Sequence, residues 1–393
     1  MTNKMIHTPE GVRDTYGKEL RQKNTVKSRL RDTLHLYGYR DIETPTFEFF
    51  DIYSNDVGTT PENEMYRFFD KEGNMLALRP DFTPSIARCA AKYFVDDSMP
   101  MRLCYEGNAF NNTSELQGKL KETTQIGAEL IGDCSSESDG EIISLVIESL
   151  LNCGLKDLNV CIGDAGYFKG ICDAAGMSEE VTMELRNLIS MKDYFGAQEY
   201  LVNNNIDKSY VNAILDVTKI TSIKDLDKAE ALVDNERSLA AIKHLKEVYD
   251  VICAYGLEKY VSVDLGMLSK FNYYTGMLFK AYTYGTGDAI VKGGRYDSLL
   301  GKFGKSSSAV GFVFLVDDIM TALYAGDLLP EVVVDETWIV YKESNKTEAI
   351  NKAKQLRANG KCVSIIPFDE CKLMSDYDDY ASKNYITAVE YLI

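Results

Sequence analysis

Apolar residues recur at near-helical spacing across residues 18–37, where Val26, Leu30, Leu34 and Leu36 sit among charges and Gly38 follows. That spacing predicts an amphipathic helix closed by the glycine. Residues 40–47 (RDIETPTF) read as extended instead, because Pro45 has no amide hydrogen to give a ladder and belongs at a sheet edge or an interface. Residues 75–78, 101–105 and 125–131 read as further strands, and residues 141–151 (EIISLVIESLL) as a buried helix. Strands and helices mixed without strict βαβ alternation predict an α+β fold with an antiparallel sheet.

The pattern changes twice further on. From about residue 166 to residue 259 it is almost wholly helical, as in VTMELRNLI and LAAIKHLKEVYDVICAYG, and strand patterns resume at Val261 and run to Tyr284. A helical insertion over residues 166–259 is therefore expected between two parts of one core, residues 1–165 and 260–328. Beyond Leu329-Pro330 come a strand (ETWIVY), a helix ending on Gly360 and two more strands (CVSIIP and YITAVEYLI). They predict a small α/β unit over residues 329–393, at the lower size limit for a core of its own.

Composition narrows function more than fold. At 393 residues and 45% hydrophobic, the chain is long enough for two or three folded domains. Lys and Arg number 43 against 60 Asp and Glu, a net charge of −17 that repels phosphate backbones and speaks against nucleic acid as a main partner. The nine cysteines are scattered without a CxxC pair and there are three histidines, which fits buried thiols in a reducing cytoplasm and neither a disulfide frame nor a zinc site. No apolar run approaches the length of a membrane helix, and the polar start MTNKMIHTPEG is not a signal peptide. No cofactor motif stands out.

Several short segments carry polar groups of chemical use. LRPDFTPSIAR places Asp81 and Thr83 at a strand end before a helix. Either side chain can cap that helix; alternatively Asp81 receives a ligand ammonium group and Thr83 hydrogen-bonds beside it. In TQIGAELIG the strand alternation puts Gln125, Gly127 and Glu129 on one face, a polar-walled cleft or a solvated surface. Tyr273 and Tyr274 add apolar bodies with hydroxyls that need partners, whereas the glycines of GGRYD mark no more than a close backbone approach.

In order along the chain, TPEGVRD, LRPDFT, RLCYEGNAFN, ETTQIGAELIG, NYYTGMLFKAYTYG, GGRYDSLL and AVGFVFLVD resemble the histidyl-tRNA synthetase family of class II aminoacyl-tRNA synthetases, over about residues 8–325. The resemblance implies a six-stranded antiparallel sheet flanked by helices and a homodimer built through residues 37–47. It also implies a histidine pocket of Asp81, Thr83, Gln125, Glu129, Tyr273 and Tyr274. Three positions depart from the family pattern: Asn111, Ser269 and Asp318 each stand where the synthetases carry an arginine that holds ATP or the amino-acid carboxylate. At about 1.5 to 3 kcal/mol per charge-assisted hydrogen bond, the loss is on the order of 5 to 9 kcal/mol, or about three to six decades in ATP binding or turnover. Adenylate formation depends on stabilising charge at the transferring phosphoryl group, so no catalytic residue is expected. Lys119, Lys121 and Lys270 are the nearby cations available as substitutes.

The tail is also shorter than a synthetase's anticodon-binding domain. A synthetase-like core without those arginines is similar to the family of ATP phosphoribosyltransferase regulatory subunits. That resemblance implies a non-catalytic subunit partnering the short-form catalytic subunit at the first step of histidine biosynthesis, needed for its activity and mediating its inhibition by L-histidine. Two alternatives belong to other classes: an active amino-acid-activating enzyme, against which Asn111 and Asp318 speak, and an RNA-sensing pseudo-synthetase, against which the net charge speaks.

Overall fold

The computed structural model describes residues 6–54, 60–94, 99–113, 119–267, 274–332 and 335–393, and the chain divides into two compact units, Met1–Pro330 and Glu331–Ile393. In the first, helix α1 (Gly17–Leu36) leads into the short strand β1 (Arg40–Asp41). Its buried stripe is Val26, Leu30, Thr33 and Leu34, and Gly38, at φ +80°, turns the chain out of the helix. Strands β2 (Phe47–Phe49), β3 (Arg67–Phe69) and β4 (Met75–Leu78) form a small antiparallel sheet in the order β2-β4-β3. Helix α2 (Thr83–Tyr93) follows, then the long hairpin of β5 (Met101–Phe110) and β6 (Glu122–Ile131) and helix α3 (Ser136–Asn152). Ser135 caps α3, its hydroxyl accepting the Ser138 amide, and the helix lies among core residues on almost every side.

Strand β7 (Leu158–Asp164) enters a run of helices: α4 (Ala165–Ala174), α5 (Glu179–Ser190), α6 (Tyr194–Asn203), α7 (Lys208–Val217), α8 (Leu226–Ala231) and α9 (Glu236–Ala254). These are not walled off from the sheet. One continuous buried cluster joins Val26 and Leu30 of α1 and Ile142 and Val146 of α3 to Leu185, Leu201, Ile214 and Leu245. The chain returns through β8 (Val261–Val263), β9 (Met277–Thr283), β10 (Val291–Arg295) and β11 (Ala309–Leu315) to helix α10 (Val316–Ala325).

The main sheet has eight strands among the described residues, in the order β1-β5-β6-β11-β10-β9-β7-β8. The six central strands pair antiparallel, as the family resemblance implies, while β1 and β8 are short parallel additions at the two edges. One sheet face sends Val310, Phe312 and Phe314 into the helical core. The other face carries Tyr105 and packs with Phe82, Ile86, Tyr296 and Leu299 in a second, smaller cluster. The polar pocket residues stand on this second face.

The second unit is a parallel three-stranded sheet, with β12 (Glu336–Tyr341) between β13 (Cys362–Pro367) and β14 (Ala388–Leu392), and with helices α11 (Lys346–Ala358) and α12 (Met374–Lys383). Its core is Ile339, Tyr341, Ala349, Ala353 and Val363. Helix α12 was not expected from the sequence, although Met374, Tyr377 and Ala381 stand at helical spacing and the last two are buried. No helix among the described residues is long and apolar enough to cross a membrane.

Candidate functional site

Strand register assembles the site. Glu129 of β6 pairs with Gly311 of β11, which pairs with Gly294 of β10. Paired residues share a face in an antiparallel ladder, so two side-chain-free positions lie beside Glu129. The Glu129 carboxylate lies in the space a Gly311 side chain would occupy, and the ring of Tyr274 lies in the space above Gly294. Gly127, two residues before Glu129 on the same face, leaves room for the hydroxyl of Tyr105. These glycines are needed because pocket side chains lie flat across the sheet.

Glu129 is 1% exposed. Its Oε1 accepts a hydrogen bond of 2.9 Å from the Thr83 hydroxyl, and its Oε2 accepts a short one from the Tyr296 hydroxyl. Burial pushes its carboxyl up to about 8, Asp81 pushes the same way, and the two hydroxyl donors only partly oppose the rise. At neutral pH the ligand-free carboxyl therefore mostly holds its proton. Burial, with Glu129 next to it, likewise raises the phenols of Tyr296 and Tyr105 well above their usual range. Tyr105 stacks on Phe82 with ring centroids 4.4 Å apart, which ties the sheet to the start of α2.

The loop before α2 divides its labour between the two roles open in the sequence. The Asp81 carboxylate accepts the Thr83 amide at 3.2 Å and so serves the first helical N–H, while the Thr83 hydroxyl turns away to Glu129. Gln125 is almost buried on the same strand face, two pairs beyond Gly127 in the direction of the hairpin end. Asp81, Thr83, Glu129 and Tyr274 thus come together around the glycine floor. Tyr273, Ser269 and Lys270 lie outside the described residues.

Sequence reasoning passed over Tyr296, Tyr105 and Gly311. Tyr296 belongs to GGRYD, read only as a backbone feature, but its hydroxyl is one of the two donors to Glu129. The arginine of the same motif points elsewhere: Arg295 is 5% exposed, forms a 2.5 Å ion pair with Asp139, and donates to the Asp133 carbonyl at 2.9 Å. His244 also reaches Asp139, at 2.8 Å. This network holds the sheet to α3 and α9 and is not part of the pocket.

Two of the departures from the synthetase pattern fall on described residues. The Asn111 amide donates a long 3.4 Å bond to the Pro80 carbonyl, supporting the loop that carries Asp81. Asp318, at the start of α10, is half-buried, and its carboxyl is raised by burial against the opposing pull of Lys292. Neither offers a cation to a phosphate. Among the described residues one cluster, His35, Asp41 and Cys104, brings potential metal donors within 4.8 Å of one another. Arg31 already bonds the Asp41 carboxylate, and burial pushes the Cys104 thiol up to about 12, so this donor set does not suit a metal.

An antiparallel sheet with a buried carboxylate over paired glycines, entered from a strand–loop–helix carrying Asp81 and Thr83, defines a class II aminoacyl-tRNA synthetase-like core. The histidyl-tRNA synthetase family model matches residues 11–319. The chain is 39% identical to the ATP phosphoribosyltransferase regulatory subunit of Acetivibrio thermocellus over 361 residues, covering 92% of this chain and 86% of that one. It is 38% identical to the same subunit of Ruminiclostridium cellulolyticum over 394 residues, 100% of this chain and 93% of that one. A crystal structure from Bacillus halodurans, described as an ATP phosphoribosyltransferase regulatory subunit/histidyl-tRNA synthetase, superposes with a TM-score of 0.88 at 30% identity, over 99% of this chain and 98% of that one. The chain belongs to the family of ATP phosphoribosyltransferase regulatory subunits, and is a subunit of an enzyme complex and not itself the catalyst.

Proposed function

We propose that this subunit binds the short-form catalytic subunit of ATP phosphoribosyltransferase, is required for its activity at the first step of histidine biosynthesis, and carries feedback inhibition by L-histidine. The observation that carries the proposal is the contrast within one site. The buried Glu129 keeps two hydroxyl donors and a glycine floor, while Asn111 and Asp318 offer no positive charge to a triphosphate. A pocket that retains amino-acid contacts and lacks phosphate contacts suits sensing, not activation.

The mechanism is linkage. Histidine binding to Asp81, Thr83, Gln125, Glu129, Tyr273 and Tyr274 favours one arrangement of the hetero-oligomer, and a coupling of about 1 to 3 kcal/mol is enough for strong feedback. The subunit also pairs with a second copy through residues 37–47 and the adjoining sheet, where Phe47 and Phe49 are 52% and 58% exposed. The nine cysteines are free, but only Cys104, Cys153 and Cys172 are buried and Cys134, Cys253, Cys362 and Cys371 are exposed, which corrects the expectation of buried thiols; unpaired exposed thiols suit a reducing cytoplasm.

The test is to mix the chain with a short-form catalytic subunit, measure turnover, and titrate histidine. The expected result is turnover that depends on this subunit and falls with histidine. Unchanged turnover together with the absence of co-elution refutes the partner assignment. If Glu129→Ala leaves inhibition intact in an active complex, the pocket assignment fails while the partnership stands.

A further inference from the structure

The amino-acid reading leaves one end of the ligand unaccounted for. An α-amino acid brings an anionic carboxylate, and the ionisable groups acting on Glu129 are Asp81 and Tyr296, neither of them a cation. Two nearby arginines are occupied in other ways, Arg79 with its guanidinium over the Phe82 ring at 4.0 Å and Arg295 in an ion pair. Arg79 donates to the backbone carbonyls of Asn108, at 2.8 Å, and Thr44, at 3.0 Å, and Arg295 pairs with Asp139.

Strand register supplies a different cation. Gly127 pairs with Val313, Val313 with Lys292, and Lys292 with Lys280. Gly127 shares the Glu129 face, so both lysines stand on that face of the sheet. At about 4.8 Å per strand, Lys292 lies about 10 Å and Lys280 about 14 Å from Gly127 between backbones. Lys292 Nζ is 3.1 Å from Asp288. Lys280 is half-buried yet makes no hydrogen bond or ion pair among the described residues. A partly buried ammonium with open donors calls for an acceptor. Burial and the neighbouring Lys292 both lower its pKa, so an anion that stabilises its charge is favoured there.

The surrounding charges restrict what that anion can be. Asp264 and Asp288 act on Lys280, and Asp288 and Asp318 lie near Lys292. With Lys119 and Asp317 also acting on Asp318 and Lys192 on Asp264, the lysines here are matched by carboxyls and leave no surplus positive field for a polyphosphate. A single carboxylate needs only local hydrogen bonds.

We infer that Lys280, with Lys292 beside it, is the cationic pole of the pocket and receives the carboxylate of the amino acid bound against Glu129. The inference rests on the reading of the pocket as an amino-acid site.

Isothermal titration of the full chain, alone and with its catalytic partner, separates the two. The probes are L-histidine, histidinol, which has an alcohol in place of the carboxylate, and inorganic phosphate. The expected result is that Lys280→Met weakens histidine about ten- to a hundredfold, leaves histidinol unchanged, and that Lys280→Arg restores histidine. Equal histidine affinity in wild type, Lys280→Met and Lys292→Met overturns the inference, as does an equal loss for histidine and histidinol. Phosphate competing with histidine through Lys280 overturns the carboxylate assignment. If the wild type binds neither histidine nor histidinol under either condition, the amino-acid reading itself falls.

Discussion

Replacing Glu129 with Gln removes a charge from a site that resists charge, and the effect on the ligand-free protein can be worked from the structure. The carboxyl is 1% exposed and its pKa is raised to about 8 from an ordinary 4.5, with burial as the main cause. Between those two values the folded protein keeps a proton that the unfolded chain has released. The folded state therefore binds more protons, and this group makes stability fall as pH rises through that window. Taken from pH 5 to pH 9, the loss from this one carboxyl is about 3 to 5 kcal/mol. Gln has nearly the same shape, retains an acceptor for one of Thr83 and Tyr296, and does not titrate. Urea denaturation of wild type and Glu129→Gln at both pH values isolates the effect, because titrating groups that do not interact with Glu129 cancel in the difference. The variant is expected to gain about 3 to 5 kcal/mol relative to wild type on going from pH 5 to pH 9. A difference that stays flat to within about 1 kcal/mol would falsify the assignment of a desolvated, proton-holding carboxyl at this position. The same substitution is expected to weaken histidine binding, so stability and ligand affinity move in opposite directions at high pH, as for a site that stores strain for function.

Other outcomes follow from neighbouring contacts. Gly311→Ala places a methyl group where the Glu129 carboxylate lies, and is expected to lower histidine affinity by more than about tenfold by calorimetry with little change in partner binding. Arg295→Met leaves Asp139 buried with His244 as its one charged partner among the described residues, and is expected to cost about 3 to 5 kcal/mol in denaturant unfolding, partly recovered by the double variant Arg295→Met/Asp139→Leu. Phe47→Asp/Phe49→Asp puts charge on the exposed aromatic face of the small sheet, whose Phe47 meets Phe68 edge to face at 5.8 Å; sedimentation is expected to shift from dimer to monomer while circular dichroism is unchanged.

Some of this molecule is legible residue by residue. The period of Val26, Leu30 and Leu34 places α1 within a residue of its observed start, and the glycine after it has the positive φ that ends the helix. Alternation in TQIGAELIG puts Gln125 and Glu129 on one face, and both are buried there. The hairpin strands run longer than the apolar signal, to Phe110 and from Glu122, because the polar residues at their far ends are held by cross-strand pairing and not by burial. Helix α12 escaped although Met374, Tyr377 and Ala381 stand at helical spacing, because the stripe is short and set among Asp376, Asp378 and Asp379.

Local pattern was enough to place many of the helices and strands and to show no cation at 111 and 318, since each is a property of a residue and its near neighbours, while the family resemblance rested on seven segments spread over residues 8–325. Which groups meet was decided by tertiary structure. Tyr296 and Thr83 reach one carboxylate from positions 167 and 46 residues away, Arg295 of the same GGRYD motif turns to the opposite face, and Lys280 joins the Glu129 face through the pairings β6-β11-β10-β9. A one-residue slip in any of those ladders would send a different set of side chains to the pocket. Register depends on the summed packing of the whole sheet, and no single strand's sequence contains it.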